Sequence, residues 1–145
     1  MNMKILDTPY GICHLSVVPV RLAPDEGAEM VTQLLFGELL QVLEKHNSWS
    51  YIRLLFDNTE GWVDNNQITE ISDKDYRKSL KKKDKYAHKW LTNLRLKTGD
   101  DLFLHIPKGA TFSHNHLLHT SQSTQRPSNK GVVATALEYL NVPYL

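Results

Sequence analysis

Between residues 10 and 71 the chain never runs far before a turn-forming residue breaks it, and that punctuation constrains the fold most. Residues 11–21 are rich in β-branched and apolar side chains and lead into the turn Pro24-Asp25-Glu26-Gly27. Residues 30–44 carry Val31, Leu34, Leu35, Phe36, Leu39, Leu40, Val42 and Leu43, a density that would also suit a buried helix. Gly37 in the middle, and strand-like neighbours on both sides, predict two short strands around a kink instead. His46-Asn47-Ser48 reads as a turn, with Trp49, Tyr51, Ile52, Leu54 and Phe56 in the next strand. Residues 57–61 turn again and open onto Trp62-Val63. Strands at this spacing predict a small antiparallel barrel rather than a long-stranded sandwich.

The pattern changes at Ser72. Ser72 followed by Asp75 is an acidic variant of the capping box, and Asp73 and Asp75 suit a helix N-terminus. A helix is therefore expected from Asp73, with Tyr76, Leu80, Ala87 and Leu91 able to share one face. Leu94-Arg95-Leu96, the turn Thr98-Gly99-Asp100 and residues 102–106 alternate like a hairpin, and Pro107-Lys108-Gly109 turns the chain once more. Residues 113–130 are rich in His, Ser, Thr, Asn and Gln and read as a long loop. A helix is expected after Gly131, stopping before Pro143, and its position at the end of the sequence reads as the start of something larger.

Charge and cysteine content narrow the function. Seventeen basic against 16 acidic residues give a formal net charge of +1, which excludes the broad basic field of a general nucleic-acid or anionic-membrane binder. One cysteine among 145 residues excludes an internal disulfide and a multi-cysteine zinc site. No apolar run reaches the ~20 residues of a membrane helix. The first residues, with Asp7 and Pro9 close behind Lys4, do not form an export signal, so a cytoplasmic location is expected.

The residues with chemical potential are few. Cys13 and His14 are neighbours on a strand and point to opposite faces, so His14 is poorly placed to activate the thiol. His114, His116 and His119 form the densest group of metal-capable side chains. No thiol or carboxylate lies near them, and a solvated loop is the simpler reading; no metal or cofactor is expected. Lys81 to Lys83 read as a solvated helix face. Trp49, Tyr51 and Trp62 either line a groove or, as is commoner in so small a barrel, fill its core. No phosphate-cradling glycine loop and no Gly-x-Ser-x-Gly elbow is present.

YGICHLSVVPVR, AEMVTQLLFGE, SWSYIRL and EGWVDNNQ together resemble the first bacterial SH3-like module of NlpC-type cell-wall cysteine peptidases. The order and spacing of Val20-Arg21, residues 34–38, Trp49 and Gly61-Trp62-Val63 carry that resemblance across residues 10–67. Ile106-Pro107-Lys108-Gly109-Ala110 is similar to the turn of the second SH3-like module in the same peptidases. ATALEYLNVPYL resembles the helix and approach strand that precede the family's Trp-Gly-Gly segment and its Asp-Cys-Ser-Gly nucleophile motif. The resemblance thus implies a mostly β chain in three parts. Residues 1–71 would be the first SH3-like barrel, residues 72–126 a linker helix and a second, smaller SH3-like module, and residues 127–145 the start of a catalytic domain.

By the same resemblance the parent protein is a cysteine peptidase cutting murein peptides between γ-D-glutamate and the diamino acid. This 145-residue chain would be its inactive, substrate-selecting part, since Cys13 matches no catalytic position. Its partners would be a murein peptide with a free N-terminal L-alanine and its own catalytic domain, with no nucleic acid and no membrane. The acidic residue that contacts the amine in the family matches Glu38, and the family's tyrosine two residues before Gly-Trp is Thr59 here. That departure removes a hydroxyl-bearing aromatic from the subsite; Tyr51 is a candidate to replace it. Two structural roles compete for the same residues: Glu38 as the cap of a strand end or the partner of a surface lysine, and Arg21 as an anchor. The competing functional class is a free-standing SH3-like module that docks on cell-wall peptide or on a protein, with no enzyme attached.

Overall fold

The computed structural model describes residues 7–82, 86–87, 91–96, 103–112 and 120–121. Seven strands form one antiparallel sheet: β1 (Tyr10–Cys13), β2 (Val17–Arg21), β3 (Met30–Leu35), β4 (Leu39–His46), β5 (Trp49–Leu54), β6 (Glu60–Asp64) and β7 (Ile68–Glu70). Their order is β3-β2-β6-β5-β4-β1-β7. The sheet curls round a single core, because every strand sends side chains into it: Cys13, Val18, Val20, Leu34, Leu40, Val42, Ile52, Leu54, Val63 and Ile68. Alternation decides which residues these are. Along β5, Ser50, Ile52 and Leu54 are buried while Trp49, Tyr51 and Arg53 are half-buried on the outer face.

The kink expected at Gly37 separates β3 from β4, and Gly37 has φ +83°. The β4–β5 hairpin turns at Asn47, with φ +53°. Closure on the other side depends on Gly61, where a Cβ would lie 2.7 Å from Val20 Cγ1 and 2.9 Å from the Arg21 carbonyl oxygen. The bare backbone lets β2 pair with β6 at Arg21 and Trp62.

Two expectations need correction here. Trp62 does not fill the core: Gly61 and Val63 face inward, so Trp62 faces out, its ring 5.3 Å from that of Tyr51 and 6.2 Å from that of His46. The core of so small a barrel is filled by aliphatic side chains, and the aromatic rings cover its outside. Phe56 lies beyond β5, in the following turn. The β4–β5 ladder carries a bulge between Val42 and Glu44, so Glu44 pairs with Tyr51 and Leu43 lies outside the ladder.

After a 3₁₀ turn at Asn65–Gln67, the helix α1 spans Asp73–Leu80. Ser72 caps it as expected: its Oγ accepts from Asp75 N–H at 3.1 Å and donates to the Asp75 carboxylate at 2.8 Å. Tyr76 stacks on Tyr10 with centroids 3.9 Å apart, in a cluster with Ile12, Leu39 and Ile71 that fastens the helix to the barrel. The helix ends at Leu80, before Ala87 and Leu91. Ala87 is buried in a separate cluster, and Leu91 begins a strand. That strand, β8 (Leu91–Leu96), pairs with β9 (Phe103–Pro107) in the expected hairpin, and β10 (Thr120–Ser121) adds to β8. Thr120 and Ser121 were expected in a loop; pairing with β8 makes them a short strand. The turn at Thr98-Gly99-Asp100, the three histidines and the helix expected after Gly131 lie outside the described residues.

Candidate functional site

The β3–β4 turn is built from backbone hydrogen bonds that reach three segments. Phe36 N–H donates to the Ser16 carbonyl (3.2 Å), Gly37 N–H to the Cys13 carbonyl (2.9 Å) and Cys13 N–H to the Glu38 carbonyl (2.9 Å). Thr111 N–H donates to the Phe36 carbonyl at 3.0 Å, so the residues beyond β9 dock on the turn itself. The approach is close. A Cβ on Gly37 would stand 2.0 Å from the Thr111 carbonyl oxygen. Phe36 leaves the barrel core and packs with Ala87, Ile106, Ala110 and Phe112.

Glu38 follows directly. Leu35 N–H donates to its Oε2 at 2.8 Å, closing the turn, and two oxygens with two lone pairs each leave further acceptor capacity on the carboxylate. Glu38 is half-buried and lines an open cavity of about 230 Å³ with Leu39, Leu54, Leu55, Phe56, Tyr86 and Thr111. The carboxyl's pKa is raised: burial pushes it up, the Leu35 amide partly opposes that, and the nearby Asp57 charge adds to the rise. A carboxylate in a mostly apolar, partly enclosed cleft is suited to receiving a cationic group. It can also close its own turn, so the structural and the binding roles of Glu38 coexist.

The other sequence candidates are placed differently. Tyr51 lies on the outer face of β5 against Trp62. Its phenol is pushed up by partial burial and by a hydrogen bond with Glu60. Thr59 lies in the β5–β6 loop, its N–H donating to Asp57 Oδ1 at 2.9 Å and its carbonyl accepting from Leu54 N–H. Neither lines the cavity; Phe56, three residues before Thr59, does. Leu55 and Phe56 escaped the sequence reading, although three successive apolar residues at 54–56 break the alternation of β5 and signal a second use. Tyr86 and Thr111 carried no signal, because only tertiary docking brings them there.

Cys13 is fully buried and its thiol is pushed up to about 12, chiefly by burial. His14 is on the opposite face, its Nδ1 3.0 Å from Thr69 Oγ1. The pair is therefore no nucleophile and base. Arg21 anchors the β2–β3 loop, donating to the Ala28 carbonyl at 2.8 Å. Lys81 and Lys82 are exposed at the end of α1. Among the described residues no group of three or more His, Cys, Asp or Glu is placed to hold a metal, and no helix is long and apolar enough to cross a membrane.

Residues 20–68 match the family described as the bacterial dipeptidyl-peptidase Sh3 domain. The fold is similar to the crystal structure of an NlpC/P60 family protein from Bacillus cereus, with TM-score 0.58 and 13% sequence identity. The match covers 70% of this chain and 46% of that protein, so the chain spans less than half of its structural relative. No curated protein matches the sequence. Over residues 20–68 the barrel matches the bacterial SH3 family model, and its fold is similar to that of the NlpC/P60 family structure.

Proposed function

We propose that this bacterial SH3 module is the substrate-selecting part of a murein-peptide cysteine endopeptidase, and that its cavity receives the free N-terminal amine of an L-Ala-γ-D-Glu peptide. The observation that carries the reading is the half-buried Glu38 carboxylate in a cleft otherwise lined by Leu39, Leu54, Leu55, Phe56, Tyr86 and Thr111. An ammonium entering that cleft pairs with the carboxylate. An acylated amine leaves the same charge buried and unpaired, which is the stronger source of discrimination. The family match over residues 20–68 supports a role in reading cell-wall peptide for a catalytic domain, with the bond-breaking thiolate outside this barrel.

Calorimetric titration of the 145-residue chain with L-Ala-γ-D-Glu-diaminopimelate and with its N-acetyl derivative tests the reading. The free amine should bind about tenfold to a hundredfold more tightly, the range of a charge-assisted hydrogen bond of roughly 1.5–3 kcal/mol. Glu38→Gln should erase that ratio. Equal affinities for the two peptides in the unmodified chain would refute it. Binding of an unrelated protein at this face, with no response to murein peptide, would favour a free-standing docking module instead.

A further inference from the structure

Nearly half of the chain's positive charge is gathered in one short stretch. Residues 74–89 hold eight of the 17 basic residues and two of the 16 acidic ones, so the net charge of +1 conceals a positive segment against a negative remainder. The helix α1 opens that stretch and shows how the charge is arranged. Tyr76 and Ser79 are buried, while Lys74, Arg77, Lys78 and Lys81 are exposed. Their spacing of i, i+3, i+4 and i+7 sets the four on one face, opposite the buried one, and Lys82 prolongs the row past the last turn. Lys74 and Lys81 stand about 10 Å apart along the axis, at a rise of ~1.5 Å per residue. Arg77 is paired with Asp73 at 2.7 Å; among the described residues Lys74, Lys78 and Lys81 have no carboxylate partner. The fold does not ask for this row. Lys74 stands in the first turn, where a helix favours negative charge, and the like charges Lys74–Lys78 and Arg77–Lys81 repel one another at i, i+4. The helix dipole accounts for Lys78 and Lys81 near the C-terminal end, but not for Lys74. Repulsion along one exposed face is relieved when an anion neutralises it.

We propose that the row Lys74, Lys78 and Lys81 binds a linear phosphodiester polymer without bases, of the poly(glycerol phosphate) type. Charge complementarity sets the sign of the partner, and a row one helix wide sets a linear shape rather than a plane. The exposed face of α1 carries no aromatic side chain, since Tyr76 is stacked on Tyr10, so nucleic-acid bases have nothing there to stack on. The apolar side of the helix is already packed with Ile12, Leu39 and Ile71, so it is not available to lie in a lipid surface. Leu80 is the one exposed apolar side chain of α1, too little to anchor it in a bilayer. Lysine ammonium groups on flexible stems meet phosphates as point charges, which suits a polymer of evenly repeated charge with no planar group to recognise. None of these lysines lines the Glu38 cavity, so the row is independent of the amine reading.

Fluorescence anisotropy of end-labelled poly(glycerol phosphate), titrated with the 145-residue chain at low salt, gives the test. Three neutralised phosphates should make binding fall about 20-fold between 50 and 200 mM sodium chloride. Lys74→Gln, Lys78→Gln and Lys81→Gln combined should weaken binding at low salt roughly tenfold or more and remove most of that salt dependence. Arginine at the same three positions keeps the charge and should keep the binding. Lys45→Gln with Lys108→Gln, which removes two charges elsewhere, should leave it in place. The polymer should also raise the unfolding midpoint of the unmodified chain and not that of the triple glutamine variant, which should itself unfold no earlier than the parent. Absence of binding at low salt would overturn the proposal, as would binding that survives the glutamine variant or is lost in the arginine one. Tighter binding, at equal phosphate, of single-stranded DNA or of phosphatidylglycerol vesicles would overturn the class of partner.

Discussion

Replacing Gly37 by alanine should damage both the fold and the cavity, and the structure sets the size of the effect. At φ +83° an L-residue meets its own carbonyl, a cost of about 1–2 kcal/mol. The new Cβ would lie 2.0 Å from the Thr111 carbonyl oxygen, a backbone atom with no side-chain freedom to move away. Thr111 must retreat, and the bond from its N–H to the Phe36 carbonyl is lost, at roughly 1 kcal/mol net. Together these predict a loss of about 2–3 kcal/mol and a fall in Tm on the order of 10 °C. Denaturant unfolding and the free-amine peptide titration, run on the same preparation, read the two consequences. Gly37→Asn separates the causes, because asparagine tolerates the left-handed conformation but still carries a Cβ. If the approach of Thr111 is what matters, asparagine does nearly as much harm as alanine. Wild-type stability and binding in Gly37→Asn, or a loss below 0.5 kcal/mol in Gly37→Ala, would refute the reasoning.

Other consequences are open to simpler measurements. The Cys13 thiol, raised from 9.0 to about 12, keeps its proton in the folded chain while the unfolded chain loses it, so stability falls as pH climbs from about 9 towards 12. Cys13→Ala should remove that part of the slope, seen as a stability difference between the two proteins that narrows with rising pH. The raised Glu38 carboxyl has the same sign of linkage: its contribution is most favourable below the ordinary carboxylate range and is lost as pH rises through the folded value. Glu38→Gln should therefore be at least as stable as the parent at pH 7 by urea unfolding, while losing its preference for the free amine. Ser50 Oγ donates to Asn65 Oδ1 at 2.6 Å, both buried, so Ser50→Ala should cost about 1–3 kcal/mol in the same assay.

What the sequence made legible was local. Gly37 announced the break between β3 and β4 because its lack of a side chain shapes the backbone wherever it stands. Ser72 and Asp75 announced α1 because a cap is chemistry between neighbours. Glu38 was legible through the motif around it, and it does line the cavity. The inward or outward facing of Trp62 was less so: alternation fixes which residues share a face, but the burial of Gly61 and Val63 depends on closure against β2. The end of α1 stays open in the sequence for a related reason, since Ala87 fits a helical period yet is claimed by the Phe36 and Ile106 cluster. Tyr86 and Thr111 complete the cavity through contacts remote in sequence, which no periodicity records.

The titration of the Glu38 side-chain carboxyl, followed by carbon NMR with and without peptide, tests the central claim most directly. In the free chain burial and the Asp57 charge hold its pKa above the ordinary glutamate range. An ammonium docked on the carboxylate must pull the midpoint down, because the charged form then gains a partner. L-Ala-γ-D-Glu-diaminopimelate should therefore lower the midpoint and release protons on binding near it, and the N-acetyl peptide should not lower it. A midpoint unmoved by saturating free-amine peptide would contradict the account, since the amine would then be held elsewhere or not at all.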